Sequence, residues 1–312
     1  MRSDHALRLS PGDAAGSIPE AMRRALAPLV LLLATSCSPL RTFNGLVPKD
    51  PGVDIVARDQ AFAEGPRGRL DLYAPRKRGD GPLPIIVFFY GGSWNSGTKD
   101  GYGFAGRALA ARGFLVAIPD YRLVPEVRFP AFLEDGASAV RWVRAHAARY
   151  GGDPDRIVLA GHSAGAYNAA MLSLDPRWLG ADRAAIRGFV GLAGPYDFFP
   201  FDQPASQAAF GEAPDPQATQ PVRFASAGDP PALLLVAGKD DLVRPRNARN
   251  LAAAMTAAGA RAEVKTYDQI GHIGIVTALS RLFRGKAPVL RDLTDFARKV
   301  TDSEPQRMAP AA

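Results

Sequence analysis

The chain has 312 residues, of which 47% are hydrophobic and 22% charged, enough apolar material for one substantial core with no low-complexity linker to split it. The formal net charge of +7 invites a nucleic-acid or anionic-surface reading. The basic residues, however, are scattered, with neither aromatic interleaving nor a known module, and nucleic acid is excluded as a partner. Four separated histidines and one cysteine supply no metal-ligand cluster, and no Gly-rich phosphate loop is present, so no cofactor and no metal are expected.

In chain order, residues 25–34 form an apolar stretch too short to span a bilayer, preceded by Arg23-Arg24 and followed by small residues ending at Cys37. This pattern resembles a bacterial secretory signal, and Leu33-Ala34-Thr35-Ser36-Cys37 is similar to a lipoprotein processing site, in which the cysteine is acylated and becomes the mature N-terminus. Cys37 is the only cysteine and has no internal disulfide partner. Residues 1–37 therefore read as a leader, with translation starting at Met22, and the mature protein is expected to be exported to the periplasm or cell envelope and held at a membrane by its lipid.

Residues 42–73 carry short alternating pieces that predict antiparallel edge strands. Beyond them, apolar runs at 85–89, 114–118, 157–160, 188–192 and 232–236 alternate with helical stretches at 104–112, 132–150, 164–174 and 245–258. Such alternation predicts an α/β fold with a doubly wound, mostly parallel sheet, forming one catalytic domain over 42–302 and a short tail at 303–312. Residues 195–230, rich in Pro, Ala, Gln and Phe, read as a small cap insertion. Within it Phe198, Phe199 and Phe201 either line an acyl pocket or pack the insertion onto the body.

The chemistry begins at Gly161-His162-Ser163-Ala164-Gly165. The pentapeptide follows a strand-like run and opens a helix, which is the context of a nucleophile elbow and predicts Ser163 as nucleophile. A serine nucleophile needs a base and an acid that orients it. His5 lies in the leader, His146 in an upstream helix, and His162 adjoins the serine with its side chain expected to point away, which leaves His272 in a glycine-flanked loop. The acid should follow the apolar run 232–237, where Asp240 and Asp241 compete. The spacing G-x-x-D-x-V favours Asp241, and leaves Asp240 the ordinary task of capping the turn. For the developing oxyanion, Tyr90-Gly91-Gly92-Ser93-Trp94 follows a buried strand, and the N–H groups of Gly92, Ser93 and Ala164 are the candidate donors. Trp94, beside this loop, joins Phe198 and Phe199 as candidate pocket residues.

Taken together these motifs resemble a carboxylesterase of the α/β-hydrolase fold, on the branch of hormone-sensitive-lipase-like and feruloyl-esterase-like enzymes. Tyr90 to Trp94 is similar to the H-G-G-x-W oxyanion loop, and Asp120-Tyr121-Arg122-Leu123-Val124-Pro125-Glu126 is similar to a D-Y-R-L-x-P-E segment. Phe129-Pro130 with Glu134-Asp135, and the approach 151–157, match as well. The resemblance implies hydrolysis of small-molecule carboxylic esters, short-chain ones on the reading of a small cap, through an acyl-enzyme. A formamidase or peptidase would share this acyl chemistry, and a non-catalytic binding protein could keep the shell. One departure stands out: Tyr90 occupies the place of the histidine that braces the loop in relatives, so bracing must come from elsewhere.

Overall fold

Eight strands form one sheet in the order β1-β2-β4-β3-β5-β6-β7-β8 in the computed structural model, which describes residues 39–303. The expected leader with Met22 and Cys37, and the end of the chain from 304, lie outside the described residues. β1 (Val53–Ala61) and β2 (Arg69–Pro75) pair antiparallel, and β2 joins β4 (Leu115–Pro119) antiparallel. The remaining strands, β3 (Leu83–Phe89), β5 (Gly152–His162), β6 (Ile186–Leu192), β7 (Ala232–Ala237) and β8 (Ala262–Tyr267), extend the sheet with parallel pairings. This is the expected α/β-hydrolase architecture.

The inner strands β3, β4 and β7 are apolar throughout because helices cover both faces. In β3, Ile86 and Phe88 enter one hydrophobic cluster while Ile85, Val87 and Phe89 enter the other, so each face of the pleat feeds its own layer. Each such side chain contributes about 1.5–3 kcal/mol by leaving water. The helix Ala164–Leu174 is buried at every position, and this explains its mainly small and apolar composition: a helix enclosed on all sides needs no polar face.

Strand order reverses between β3 and β5: the connection from β3 leads to β4 on one side, and β5 leads to β6 on the other. Loops leaving the carboxyl ends of strands at such a point diverge and open a crevice. The register aligns Phe89 with Gly161, so the segment after β3 and the segment after β5 emerge side by side. Between β6 and β7 the helix Pro204–Phe210 and two short 3-10 turns form the small cap. The sequence reading did not anticipate the helix Pro39–Leu46. Its Phe43 packs edge-on to Phe104 at 5.0 Å and stacks on Phe283 at 5.9 Å, so the first described element begins three residues ahead of the expected boundary at 42.

Candidate active site

Ser163 makes the whole reversal from strand to helix by itself: β5 ends at His162, the helix starts at Ala164, and Ser163 sits at φ 55°, ψ −123°. A non-glycine residue there is strained, and the surroundings must hold it. The Ser163 N–H donates to the Leu192 carbonyl at 2.8 Å. The flanking glycines are required by contact, since a Cβ on Gly161 would collide with the Gly165 carbonyl and one on Gly165 with the Phe89 carbonyl.

The other two members come from β7 and β8, whose outgoing segments are zipped together. Gly238 donates its N–H to the Tyr267 carbonyl at 2.9 Å, and Lys239 to that of Ile270 at 3.0 Å. The pairing brings His272 opposite Asp240. His272 Nδ1 lies 2.8 Å from Asp240 Oδ2, and its Nε2 lies 2.9 Å from Ser163 Oγ. A carboxylate only accepts, so Nδ1 carries the proton and Nε2 presents its lone pair to the serine hydroxyl. His272 is the first residue of the short helix His272–Thr277, with Gly271 preceding it, rather than part of an open loop.

The expectation for the acid is corrected by one residue. Asp240 is buried and faces the imidazole, whereas Asp241 is exposed on the wall of the adjoining cavity. The two tasks that the sequence reading divided between neighbours fall to one carboxylate. Asp240 Oδ1 accepts the N–H groups of Leu242 and Val243 at 3.0 and 2.8 Å, closing the turn, and Oδ2 is left for the histidine.

The segment after β3 curls through three consecutive positive φ values, 142° at Gly92, 52° at Ser93 and 58° at Trp94. The Gly92 carbonyl accepts from the N–H groups of both Asn95 and Ser96 at 3.0 Å. Neither the Gly92 nor the Ser93 N–H donates to a backbone acceptor among the described residues. Ala164, as the first helical residue, has no intrahelical acceptor for its own. Gly91 passes so close to the elbow that a Cβ would press on His162 and on Ser163 Cβ. The brace is aromatic. Tyr90 stacks on Tyr121, with ring centroids 4.4 Å apart, and the Tyr121 hydroxyl donates to the Tyr90 carbonyl at 2.8 Å. Arg67 Nη1 reaches both the Tyr90 hydroxyl, at 3.1 Å, and the Gly97 carbonyl, at 3.2 Å.

His162 does not merely point away. It is fully buried, with Nε2 3.0 Å from the His272 carbonyl and Nδ1 2.9 Å from the Tyr102 hydroxyl. The carbonyl can only accept, so Nε2 carries the proton and Nδ1 accepts from Tyr102. Tyr102 Oη in turn accepts the Gly91 N–H at 3.0 Å. Burial, reinforced by the His272 side chain, pushes the His162 pKa down to about 3, so the ring stays neutral and this direction of donors is fixed.

A cavity of about 390 Å³ opens at Ser163, with Ser93, Trp94, Ala164 and Phe198 on its walls. Trp94 is buried against Tyr167 and Phe210, and its Nε1 donates to Asn168 Oδ1 at 3.3 Å. Phe199 is the exception among the expected pocket residues. It is 42% exposed, edge-on to Phe201, and does not line the cavity. Phe201 stacks on Phe210 within the cap, and Phe210 packs edge-on to Trp94 and Phe132 of the body.

The BD-FAE family profile matches residues 70–255, more than half of the chain. The chain belongs to the BD-FAE family. Among curated proteins it is similar to the isoprenylcysteine alpha-carbonyl methylesterase of Arabidopsis thaliana, at 30% identity over 241 residues covering 70% of this chain and 56% of that one. A probable isoprenylcysteine alpha-carbonyl methylesterase of Oryza sativa subsp. japonica is 44% identical over 119 residues, 38% of this chain and 28% of that one. The chain spans from a quarter to just over half the length of these relatives. Thermogutta terrifontis esterase 2, solved as the enzyme phosphorylated by paraoxon, superposes with a TM-score of 0.67 at 25% identity, over 83% of this chain and 98% of that one.

In this BD-FAE member the sequence reading ranked Asp240 behind its neighbour and missed Tyr102, Arg67 and the bonding of His162. A signal existed for His162 alone: a histidine between the apolar strand and the nucleophile is bound to be buried, and a buried imidazole needs two partners. Tyr102 and Arg67 are single residues in segments without a motif, and only the folded chain brings them to the loop.

Proposed function

We propose that this BD-FAE protein is a serine esterase of short-chain carboxylic esters. The observation that carries the reading is the His272 imidazole set between Asp240 and Ser163 at 2.8 and 2.9 Å. Ser163 Oγ attacks the ester carbonyl as His272 Nε2 takes its proton, and Asp240 stabilises the imidazolium through Nδ1–H. The N–H groups of Gly92, Ser93 and Ala164 receive the oxyanion. His272 then returns the proton to the leaving alcohol. Water, deprotonated by the same nitrogen, releases the acid from the acyl-enzyme. The similarity to proteins named as esterases supports the reaction class.

The test is a fluorophosphonate probe together with turnover of p-nitrophenyl butyrate. One probe molecule is expected per chain, and Ser163→Ala is expected to abolish labelling and lower kcat by roughly 10⁴-fold or more. An active, labelled Ser163→Ala protein refutes the assignment.

We further propose that Cys37 is acylated after export and that the lipid holds the protein at a membrane of the cell envelope. The support is the sequence alone: the apolar stretch 25–34, the arginines before it and the small residues leading to the single cysteine. Expression from Met22 with labelled palmitate is expected to give a labelled, membrane-associated product, and Cys37→Ala an unlabelled one. An unlabelled wild-type product defeats this part.

A further inference from the structure

Away from Ser163, the helix Pro39–Leu46, β1, β2 and the helix Gly103–Ala110 enclose a second cleft of about 480 Å³. None of its lining residues belongs to the cavity at the nucleophile. Four cations converge on it: Arg41, Lys49, Arg58 and Arg107. Among the described residues none of the four forms an ion pair. Arg107 spends Nη1 on the Val53 carbonyl at 2.9 Å, and Lys49 Nζ rests against the carbonyls of Asn44 and Val47. These contacts orient the cations without neutralising them.

The two carboxylates on the wall are already engaged. Asp71 and Asp100 lie 2.9 and 3.3 Å from the buried Lys99 ammonium, so the cleft keeps a surplus of positive charge. Its floor carries a second, independent sign of a ligand. Tyr73 is 3% exposed, yet its hydroxyl forms no hydrogen bond among the described residues and borders the cleft. Gly103 keeps that floor open: a Cβ there would sit 3.2 Å from both the Tyr73 hydroxyl and Asn44 Nδ2. The ring is buried while the hydroxyl is left facing the cleft, where it is a donor free for a polar ligand.

We propose that this cleft binds a phosphate group, with the Tyr73 hydroxyl donating to one oxygen and the surrounding guanidinium and ammonium groups to the others. Guanidinium forks match the geometry of phosphate oxygens, and several unneutralised cations favour an anion of more than single charge. The phosphate comes either free or as the headgroup of a lipid. The helix that carries Arg41 begins two residues after Cys37, and this makes the headgroup the source to compare first.

The experiment uses the full chain in two arms at constant ionic strength. One titrates inorganic phosphate against sulfate-free, chloride-matched buffer by calorimetry. The other measures flotation with vesicles of phosphatidylglycerol against vesicles of phosphatidylcholine. Saturable phosphate binding identifies a site open to the free ion, and retention on phosphatidylglycerol alone identifies the headgroup; either supports the proposal. Lys49→Gln with Arg58→Gln is expected to weaken the binding about tenfold or more. Tyr73→Phe, which keeps the ring in the core, is expected to weaken it several-fold, while hydrolysis of a soluble ester is unchanged in both variants. Binding in neither arm, or binding that both variants leave intact, overturns the proposal.

Discussion

The Nε2–H of His162 donates to the backbone carbonyl of His272 across 3.0 Å, so the residue next to the nucleophile holds the main chain of the base. Through Tyr102 the same ring is tied to Gly91, and the loop after β3, the elbow and the histidine turn share one line of hydrogen bonds. Tyr102→Phe removes the donor to His162 Nδ1 and the acceptor for the Gly91 N–H while keeping the ring. We expect kcat to fall by roughly 10- to 100-fold with KM within about twofold, because the loss falls on transition-state geometry and not on ground-state binding. A change confined to KM contradicts the linkage.

The division of labour within Asp240 predicts an asymmetry between adjacent aspartates. Asp240→Asn offers the imidazole an amide in place of a carboxylate and disturbs the proton on Nδ1, which is expected to lower kcat by about 10³- to 10⁴-fold. Asp241→Asn, on the exposed wall, is expected to cost less than about tenfold. Steady-state kinetics on one ester for both variants decides it, and a larger loss at Asp241 reverses the assignment.

Stability against pH carries two opposed contributions. Burial lowers the His162 pKa to about 3, so between that value and its ordinary 6.5 the unfolded chain binds the extra proton and stability rises with pH. Burial raises Asp120 from 3.8 to about 6, against the Lys99 N–H bond that favours its ionised form. There the folded chain binds the extra proton, and stability falls as pH rises from about 4 to 6. Asp120→Asn removes the second contribution only. Unfolding free energies from urea titrations are expected to separate in the variant's favour across that window, by an amount on the order of 2 kcal/mol. Parallel curves for the two proteins defeat this account.

On the proposed function, the cavity beside Ser163 is expected to set the acyl length. Trp94 and Phe198 stand with their ring planes 21° apart and centroids 6.1 Å apart, a wall that a short chain can follow and a long one must pass. Each methylene buried gains about 0.8 kcal/mol until the wall is met. Values of kcat/KM for p-nitrophenyl esters are expected to peak between acetate and hexanoate, and Trp94→Ala to shift the peak to longer chains. A wild-type maximum at dodecanoate contradicts the short pocket.

How far the sequence carries depends on whether a feature is local. The elbow was legible because strand, glycines and helix are contiguous, and the helix Ala164–Leu174 follows its pattern to the residue. His272 was reached by elimination among four histidines. The acid was missed by one position, because a carboxylate that closes its own turn looks like a purely structural one until its second oxygen is placed. Phe199 was misplaced for a related reason: composition marks a cap as aromatic without telling which rings turn inward. The brace of the loop after β3 was beyond reading, since Arg67 and Tyr121 meet Tyr90 only once β2, β3 and β4 lie side by side.

Arg67 lies in the connection between β1 and β2, at the antiparallel edge of the sheet. Tips of edge hairpins are ordinarily the places where a chain tolerates insertions, tags and nicks. Here that freedom is withdrawn. A protease cut or a grafted epitope at residues 62–68 would leave Ser163, Asp240 and His272 untouched, and would still loosen the loop after β3 by freeing the guanidinium that clamps Tyr90 and Gly97. Labels for immobilisation or imaging therefore belong elsewhere on this protein, and turnover can serve as a remote reporter of the integrity of its edge.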